Sequence, residues 1–528
     1  MRRPTRAQVG RVVRHPALRS PRLAAGVARR EAGRVPATRG ARCRVWAIRL
    51  PVLARALARP LVVGDVDSVA ALAPVLAGLV DLADPSEVWL ALAVLSGELP
   101  TEEVVVEVAR RGALDHGEAL AAAVARSTTL RSARARVVVT DATLLDLDHT
   151  IGADFTTGIQ RVVRETARRW LAADRCEPVA WVEGHWALRP LTGAERAVAR
   201  GEAGDASGVR AGDAAVTPGR RHTTVVVPWG GRYLLPELAL ELPRLERTRA
   251  LVRFSRVHSA AIGFDCVPIT SAETVALGIG HFARYLSVLK HVDRVAPISQ
   301  AAGQEFLGWR AMLAGTGLPG PQVSPVLLPA QAPSDDPALD QAVRAELAGD
   351  GRPVVLVVGS HEPRKNHLAV LHAAELLWRR GLDFRLALVG GRGWGSEPFY
   401  DRVEELRAAG RPIVLPRDVD DARLFAAYRV ARFTVFPSLN EGYGLPVAES
   451  LACGTPVVTS AFGSMAEIAA QGGALTVDPR DDHDLARAME RLLRDDELLD
   501  RLRSEARGVP RRSWDDYAAQ LWATLAGQ

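Results

Sequence analysis

Two Rossmann-like α/β units in tandem, preceded by a helical and arginine-rich extension, are what this 528-residue sequence predicts. Three observations carry that prediction. From residue 136 onward, short β-branched runs alternate with helix-forming stretches, the pattern of parallel βαβ units. A Pro- and Asp-rich break at 328–340 interrupts the alternation, which then restarts. The first 130 residues show no alternation at all. The length exceeds one ordinary core, and 48% hydrophobic with 24% charged residues is a globular balance.

In chain order, residues 1–60 are rich in Arg, Ala and Pro without a sustained apolar period, which predicts poor order. Residues 61–130 are Ala/Leu/Val-rich and predict a small helical region without chemistry of its own. "RVVVT" at 136 reads as a buried strand, followed by a polar loop and the helix "TGIQRVVRETARRW". Its Ile159, Val162, Val163 and Trp170 share one face. "PVAWV", "TTVVVP" and "RVAPIS" continue the first unit; "PVVLVVG", "FRLALVGG", "RPIVLP", "FTVFPS" and "PVVTS" build the second. The boundaries expected are therefore 1–60 for the extension, 61–130 for the helical region, 135–330 and 340–510 for the two α/β units, and 511–528 for a closing helix.

The net charge of +6 is a property of one segment: residues 1–60 hold sixteen arginines against Glu31, so the remainder is acidic. Lys290 and Lys365 are the only lysines, a skew resembling GC-rich coding bias, and no aromatic interleaving supports nucleic-acid binding. No apolar run reaches the ~20 residues of a membrane span, and no cleavable leader follows the basic start. Cys43, Cys176, Cys266 and Cys453 lie too far apart for a disulfide framework or zinc signature, which predicts a reducing cytoplasm.

Two segments carry chemistry. In "FPSLNEGYGLPVAESLACGTPVVTS" (436–460), Gly442 and Gly444 precede a helix that Pro446 starts and Gly454 stops. Open backbone amides at a helix N-terminus seat a phosphate. Glu441 in the loop and Glu449 in the helix can each grip neighbouring hydroxyls, since a carboxylate only accepts hydrogen bonds. The alternative is two solvated glutamates beside an ordinary turn. In "VVLVVGSHEPRKNHLAVLHAAELL" (354–377) a strand ends at Gly359 and a helix begins near Asn366, read as its N-cap. Arg364 and Lys365, at the turn between, can neutralise a diphosphate without a metal, or else form an exposed basic pair.

At these residues the chain resembles the group 1 retaining glycosyltransferases of the GT-B fold, especially bacterial mannosyl- and rhamnosyl-transferring members. "EPRKN" (362–366), "PSLNEGYGLPVAESLACGTPV" (437–457) and "VDP" (477–479) follow in the family's order, and "SWDDYAAQLW" (513–522) resembles its final crossing helix. The resemblance implies that Glu449 holds the ribose of a nucleotide diphosphate sugar and Glu441 the transferred hexose, with mannose or rhamnose favoured. It implies that amides near Gly444 and Leu445 take the phosphates together with Arg364 and Lys365, beside Gly359 and Gly442, and that Val419 borders the base.

The first unit matches more loosely. Gly158 in "TTGIQRVVRE" is placed on the acceptor side, and Asp265 in "GFDCVPI" matches a catalytic-side aspartate that could equally cap a turn. Phe264 stands where some members have histidine, and Ser360 stands where many carry arginine. His258 and His281 are left out of the site. The Asp-x-Asp strings at Asp65–Asp67, Asp146–Asp148 and Asp418–Asp420 lack a third ligand, so neither metal nor cofactor is expected. The acceptor implied is a glycan or a lipid-linked one, with peripheral contact to the inner membrane face through residues 1–60. The rival readings are an epimerase or phosphorylase on the same fold, and a non-catalytic nucleotide-sugar-binding module.

Overall fold

The computed structural model describes residues 35–62, 66–112, 114–152, 157–202, 223–275, 279–416 and 419–527. They divide into two compact units, one falling within 1–140, 181–189 and 218–229, the other comprising the rest. The first strands in chain order are β1 (Arg136–Thr140), β2 (Thr143–Asp146), β3 (Glu177–Trp181), β4 (Leu188–Pro190), β5 (Thr224–Pro228), β6 (Arg232–Leu235), β7 (His258–Gly263), β8 (Arg294–Pro297) and β9 (Gln322–Val323). A second series follows: β10 (Val354–Val358), β11 (Arg385–Val389), β12 (Ile413–Val414), β13 (Phe433–Phe436), β14 (Val457–Ser460) and β15 (Ala474–Val477).

The smaller unit is helical, beginning with α1 (Arg39–Ala56). Poor order was expected to run to residue 60, yet α1 is held by burial of Trp46, Leu50 and Leu53 on one face. Residues 1–34 lie outside the described residues. Arg49, one of the sixteen arginines, is buried and donates to the carbonyls of Leu95, Ser132 and Ala135 at 3.0, 2.5 and 2.8 Å. Burial pushes its guanidinium down to about 10.

β1, β5 and β4 belong to this helical unit rather than to a unit opening at 135. β1 pairs parallel with β5, β5 antiparallel with β4, and the Leu99 N–H donates to the Trp186 carbonyl at 2.9 Å. β1 is also only half-buried, so "RVVVT" is not the buried strand expected. The strand that leads into the expected helix is β2, "TLLD", whose flanking aspartates disguise it as loop.

The larger unit holds two parallel sheets. The first runs β3-β2-β6-β7-β8-β9. The second runs β12-β11-β10-β13-β14-β15, also parallel throughout, which is the Rossmann order in which the strand sequence reverses between its first and fourth strands. The reversals fall between β2 and β6 and between β10 and β13, so the loops leaving those four strands frame two ligand crevices.

After β2 comes α2 (Gly158–Ala172), started by a capping box of Thr157 and Gln160. After β13 comes α3 (Leu445–Ala452), and the unit closes with α4 (Trp514–Ala526). α4 packs on α2: the Trp170 indole N–H donates to the Ala518 carbonyl at 2.9 Å, and its ring meets Trp522 edge-on at 5.2 Å. Among the described residues no helix is long and apolar enough to cross a membrane.

Candidate active site

The loop after β10 delivers the first half of the site. Gly359 ends that strand and a 3-10 turn, Pro363–Lys365, follows. Asn366 does not cap the next helix with its side chain as expected. It adopts a left-handed backbone and its amide donates to the Pro437 and Pro479 carbonyls at 3.3 and 2.7 Å, tying the turn to the loop after β13. Ser360 donates to Glu362 at 2.8 Å.

The loop after β13 delivers the second half. Glu441 lies in it with only 10% of its side chain exposed, Oε1 2.6 Å from Lys365 Nζ and Oε2 2.6 Å from Arg364. Ser438 donates to the same Oε1 at 2.7 Å. Desolvation would raise this carboxyl, but the two cations outweigh it and hold it at about 2. Arg364 also donates to the Asn440 carbonyl at 2.7 Å; despite its burial, Glu441 chiefly raises its pKa. The Lys365 ammonium sits 5.2 Å from the Phe436 ring centre, and Gly359 lies beside the lysine's stem.

Asp265 joins this cluster from the end of β7. A Cβ on Gly442 would stand 2.7 Å from the Phe264 carbonyl oxygen and 2.8 Å from Asp265 Oδ2, so only glycine permits the approach. Asp265 also accepts from the Val267 N–H at 3.1 Å; the turn-capping role and proximity to the site are both present. Burial raises its carboxyl to about 6, Arg364 opposing.

Glu449, Gly444, Leu445 and Gly158 form a second group. Gly444 starts α3 with φ of +99°, a left-handed conformation that glycine tolerates, and Leu445 opens the helix. A Cβ on Gly158, the first residue of α2, would lie 3.3 Å from Leu445 Cδ1, so the N-termini of α2 and α3 meet here. Glu449 is buried, with Oε1 2.5 Å from Arg161 and Oε2 accepting from the Tyr428 hydroxyl at 3.0 Å. Desolvation outweighs Arg161 and raises this carboxyl.

Val419 is half-buried in the cluster that contains Phe425 and Tyr428, while Arg417 and Asp418 lie outside the described residues. Asp65 also lies outside them. Asp146 is bonded to Tyr233 and sits 3.0 Å from the fully buried Arg244. No group of three potential metal ligands occurs among the described residues.

Sequence reasoning missed Arg161 and Tyr428, because nothing local marks either as a partner of a glutamate 288 or 21 positions away. His281, set aside on sequence, lines the same cavity as Asp265 and Arg364, whereas His258 is an exposed residue at the start of β7.

Residues 340–509 match the family described as "Glycosyl transferases group 1". The chain is similar to the serotype-specific mannosyltransferase WbdA of Escherichia coli, 29% identical over 270 residues, which is 49% of this chain and 32% of the relative. It is 35% identical over 181 residues to the O-antigen chain mannosyltransferase B of Escherichia coli, covering 33% of this chain and 45% of the relative. A D-inositol 3-phosphate glycosyltransferase of Acidothermus cellulolyticus is 34% identical over 171 residues, 31% of this chain and 38% of that one. The matches thus span less than half the length of these relatives. Among solved structures, Anabaena Alr3699/HepE in complex with UDP and glucose aligns with a TM-score of 0.51 at 15% identity, over 73% of this chain and all of that one, a likeness of fold. Residues 340–509 thus match the group 1 glycosyltransferases, the chain is similar to bacterial mannosyltransferases over part of its length, and its two-sheet architecture is that of the GT-B fold.

Proposed function

We propose that this protein transfers a hexose, mannose or rhamnose by preference, from a nucleotide diphosphate sugar to a glycan or lipid-linked acceptor with retention at the anomeric carbon. The observation that carries the reading is the closure of Arg364 and Lys365 on Glu441, in the loop that leads into the N-terminus of α3. Two cations and oriented amides stabilise a departing diphosphate electrostatically, without a metal or another cofactor. Glu441 accepts hydrogen bonds from the sugar, and Glu449, in the helix that follows, accepts from the ribose. The names of the Escherichia coli relatives favour mannose. The displacement proceeds on one face, with the leaving diphosphate taking the acceptor's proton, and needs no protein nucleophile. The enzyme works in the cytoplasm, and its arginine-rich start draws it to the anionic inner face of the membrane.

Product analysis tests this. Free nucleotide diphosphate should appear only when acceptor is present, with the new linkage keeping the donor's anomeric configuration. Turnover of donor into an isomer without acceptor would mark an epimerase; a requirement for inorganic phosphate would mark a phosphorylase. Donor binding with neither transfer nor slow hydrolysis would mark a binding module.

A further inference from the structure

The end of α3 far from Gly444 opens on a second recess, a cavity of about 300 Å³ that shares no residue with the Glu441 cluster. Gly454 and Thr455, just past the end of α3, form one wall. Arg429 comes from the last turn of the helix Asp421–Val430, and Asp500, Arg503 and Arg507 from the helix Asp496–Gly508. The last three are spaced three and four apart and so share a helix face. Gly454 has a φ of +73°, and a Cβ there would stand 3.3 Å from Arg507 Cγ, so the glycine lets the arginine stem lie against the end of α3.

The walls are rich in donors and short of acceptors. A guanidinium carries five N–H donors and accepts nothing. Arg429 directs Nε and Nη2 at Asp340, at 2.9 and 2.7 Å, and its Nη1 has no hydrogen-bond partner. Arg503 meets Asp500 at 3.2 Å through one nitrogen, and Arg507 has no ion-pair partner among the described residues. The N–H groups of Cys453, Gly454 and Thr455 are spent on carbonyls of α3. Offsetting a helix dipole explains Arg429 or Arg507 alone, each in the last turn of its helix, but not their meeting with Arg503 over one recess. Sugar hydroxyls, which also donate, would find a single carboxylate here, whereas an oxyanion, which only accepts, fits all three arginines. No large apolar side chain lines the recess, so a lipid tail has nothing to rest on.

We propose that this recess is an anion site separate from the Glu441 cluster, taking free phosphate or a small phosphate monoester. Arg503 and Arg507 hold the phosphate oxygens, and Arg429, with 11% of its side chain exposed, adds its charge from the more buried wall. A volume of about 300 Å³ is the lower end of small-ligand sites, which suits a ligand of that size.

Phosphorus NMR of inorganic phosphate, titrated with the full chain, tests this with and without saturating nucleotide diphosphate. Phosphate should bind with roughly millimolar affinity and stay bound when the nucleotide is added. Arg507→Gln, a change at an exposed position, should weaken it roughly tenfold, and Arg503→Gln should do the same and serves if the first variant folds poorly. Arg501→Gln, on the same helix but paired with Glu505 and outside the recess, should change it by less than about twofold. Dihexanoyl phosphatidic acid, below its micelle concentration, should bind within about threefold of inorganic phosphate, since the walls offer its chains no apolar surface. No binding at about 10 mM phosphate, displacement by the nucleotide, undiminished binding in both recess variants, or an equal loss in Arg501→Gln would overturn the proposal. Tighter binding of the lipid by about tenfold or more would overturn the free phosphate as the source and assign the site to a headgroup.

Discussion

Glu441 and Glu449 stand eight residues apart, the first largely shielded from water and the second buried, yet their surroundings push them in opposite directions. Glu441 sits between Arg364 and Lys365 and is held at about 2, ionised at any working pH. Glu449 faces one arginine and a tyrosine hydroxyl, and burial wins, raising its carboxyl. Identical side chains on one loop and helix are thus divided by the number of cations within reach. A fixed anion already gripped by two cations suits a place where charge shifts during reaction. A carboxylate with weaker partners suits a ligand that supplies hydroxyl donors.

The largest effect should come from Glu441→Gln. It leaves Arg364 and Lys365 half-buried without their shared anion. A folded-state value near 2, below the ordinary 4.5, means Glu441 contributes stability that is full above about 4.5 and lost as pH falls toward 2. Chemical denaturation should show the variant about 3 kcal/mol less stable at pH 7, with the gap closing in acid. Transfer should fall about a hundredfold or more, as on removal of a preorganised electrostatic partner. A gap undiminished at pH 3 would assign the loss to packing instead.

Arg161→Ala sharpens the other side of the comparison with a smaller change. Glu449 loses its only ion-pair partner among the described residues, so its carboxyl rises further. Nucleotide diphosphate should bind roughly fivefold more weakly at pH 7, and more weakly still as pH falls and Glu449 takes up a proton. An affinity that does not weaken as pH falls would contradict this. The smallest expected effect is none: excess chelator should leave transfer intact, since Arg364, Lys365 and the α3 N-terminus supply the positive charge. Loss restored by magnesium or manganese would break that account.

The sequence was most readable where local signals coincide with function. "EPRKN" and "NEGYGLP" place Arg364, Lys365, Glu441, Gly442 and Gly444 on loops whose glycines, prolines and flanking β-branched runs mark strand ends and a helix start. The structure brings these residues together at the strand reversal between β10 and β13. Other features depend on distant partners. The Arg161–Glu449 pair joins residues 288 apart, and Gly442 must be glycine because Phe264 and Asp265 approach it. The first half misled for a different reason. β2 is four residues long beside aspartates, and "RVVVT" pairs with β5 in the helical unit, so hydrophobicity identified a strand without showing which compact unit it falls in.

The division of labour between the two glutamates is tested most directly by calorimetric titration of nucleotide diphosphates into the parent protein, Glu449→Ala and Glu441→Ala. A panel of guanosine, uridine and thymidine diphosphates would identify the base at the same time. Glu449→Ala should bind the preferred nucleotide at least tenfold more weakly, having lost charge-assisted hydrogen bonds to the ribose. Glu441→Ala should bind it within about threefold of the parent while transfer from the intact sugar donor collapses. Parent-like nucleotide affinity in both variants, or equal losses in both, would contradict the account.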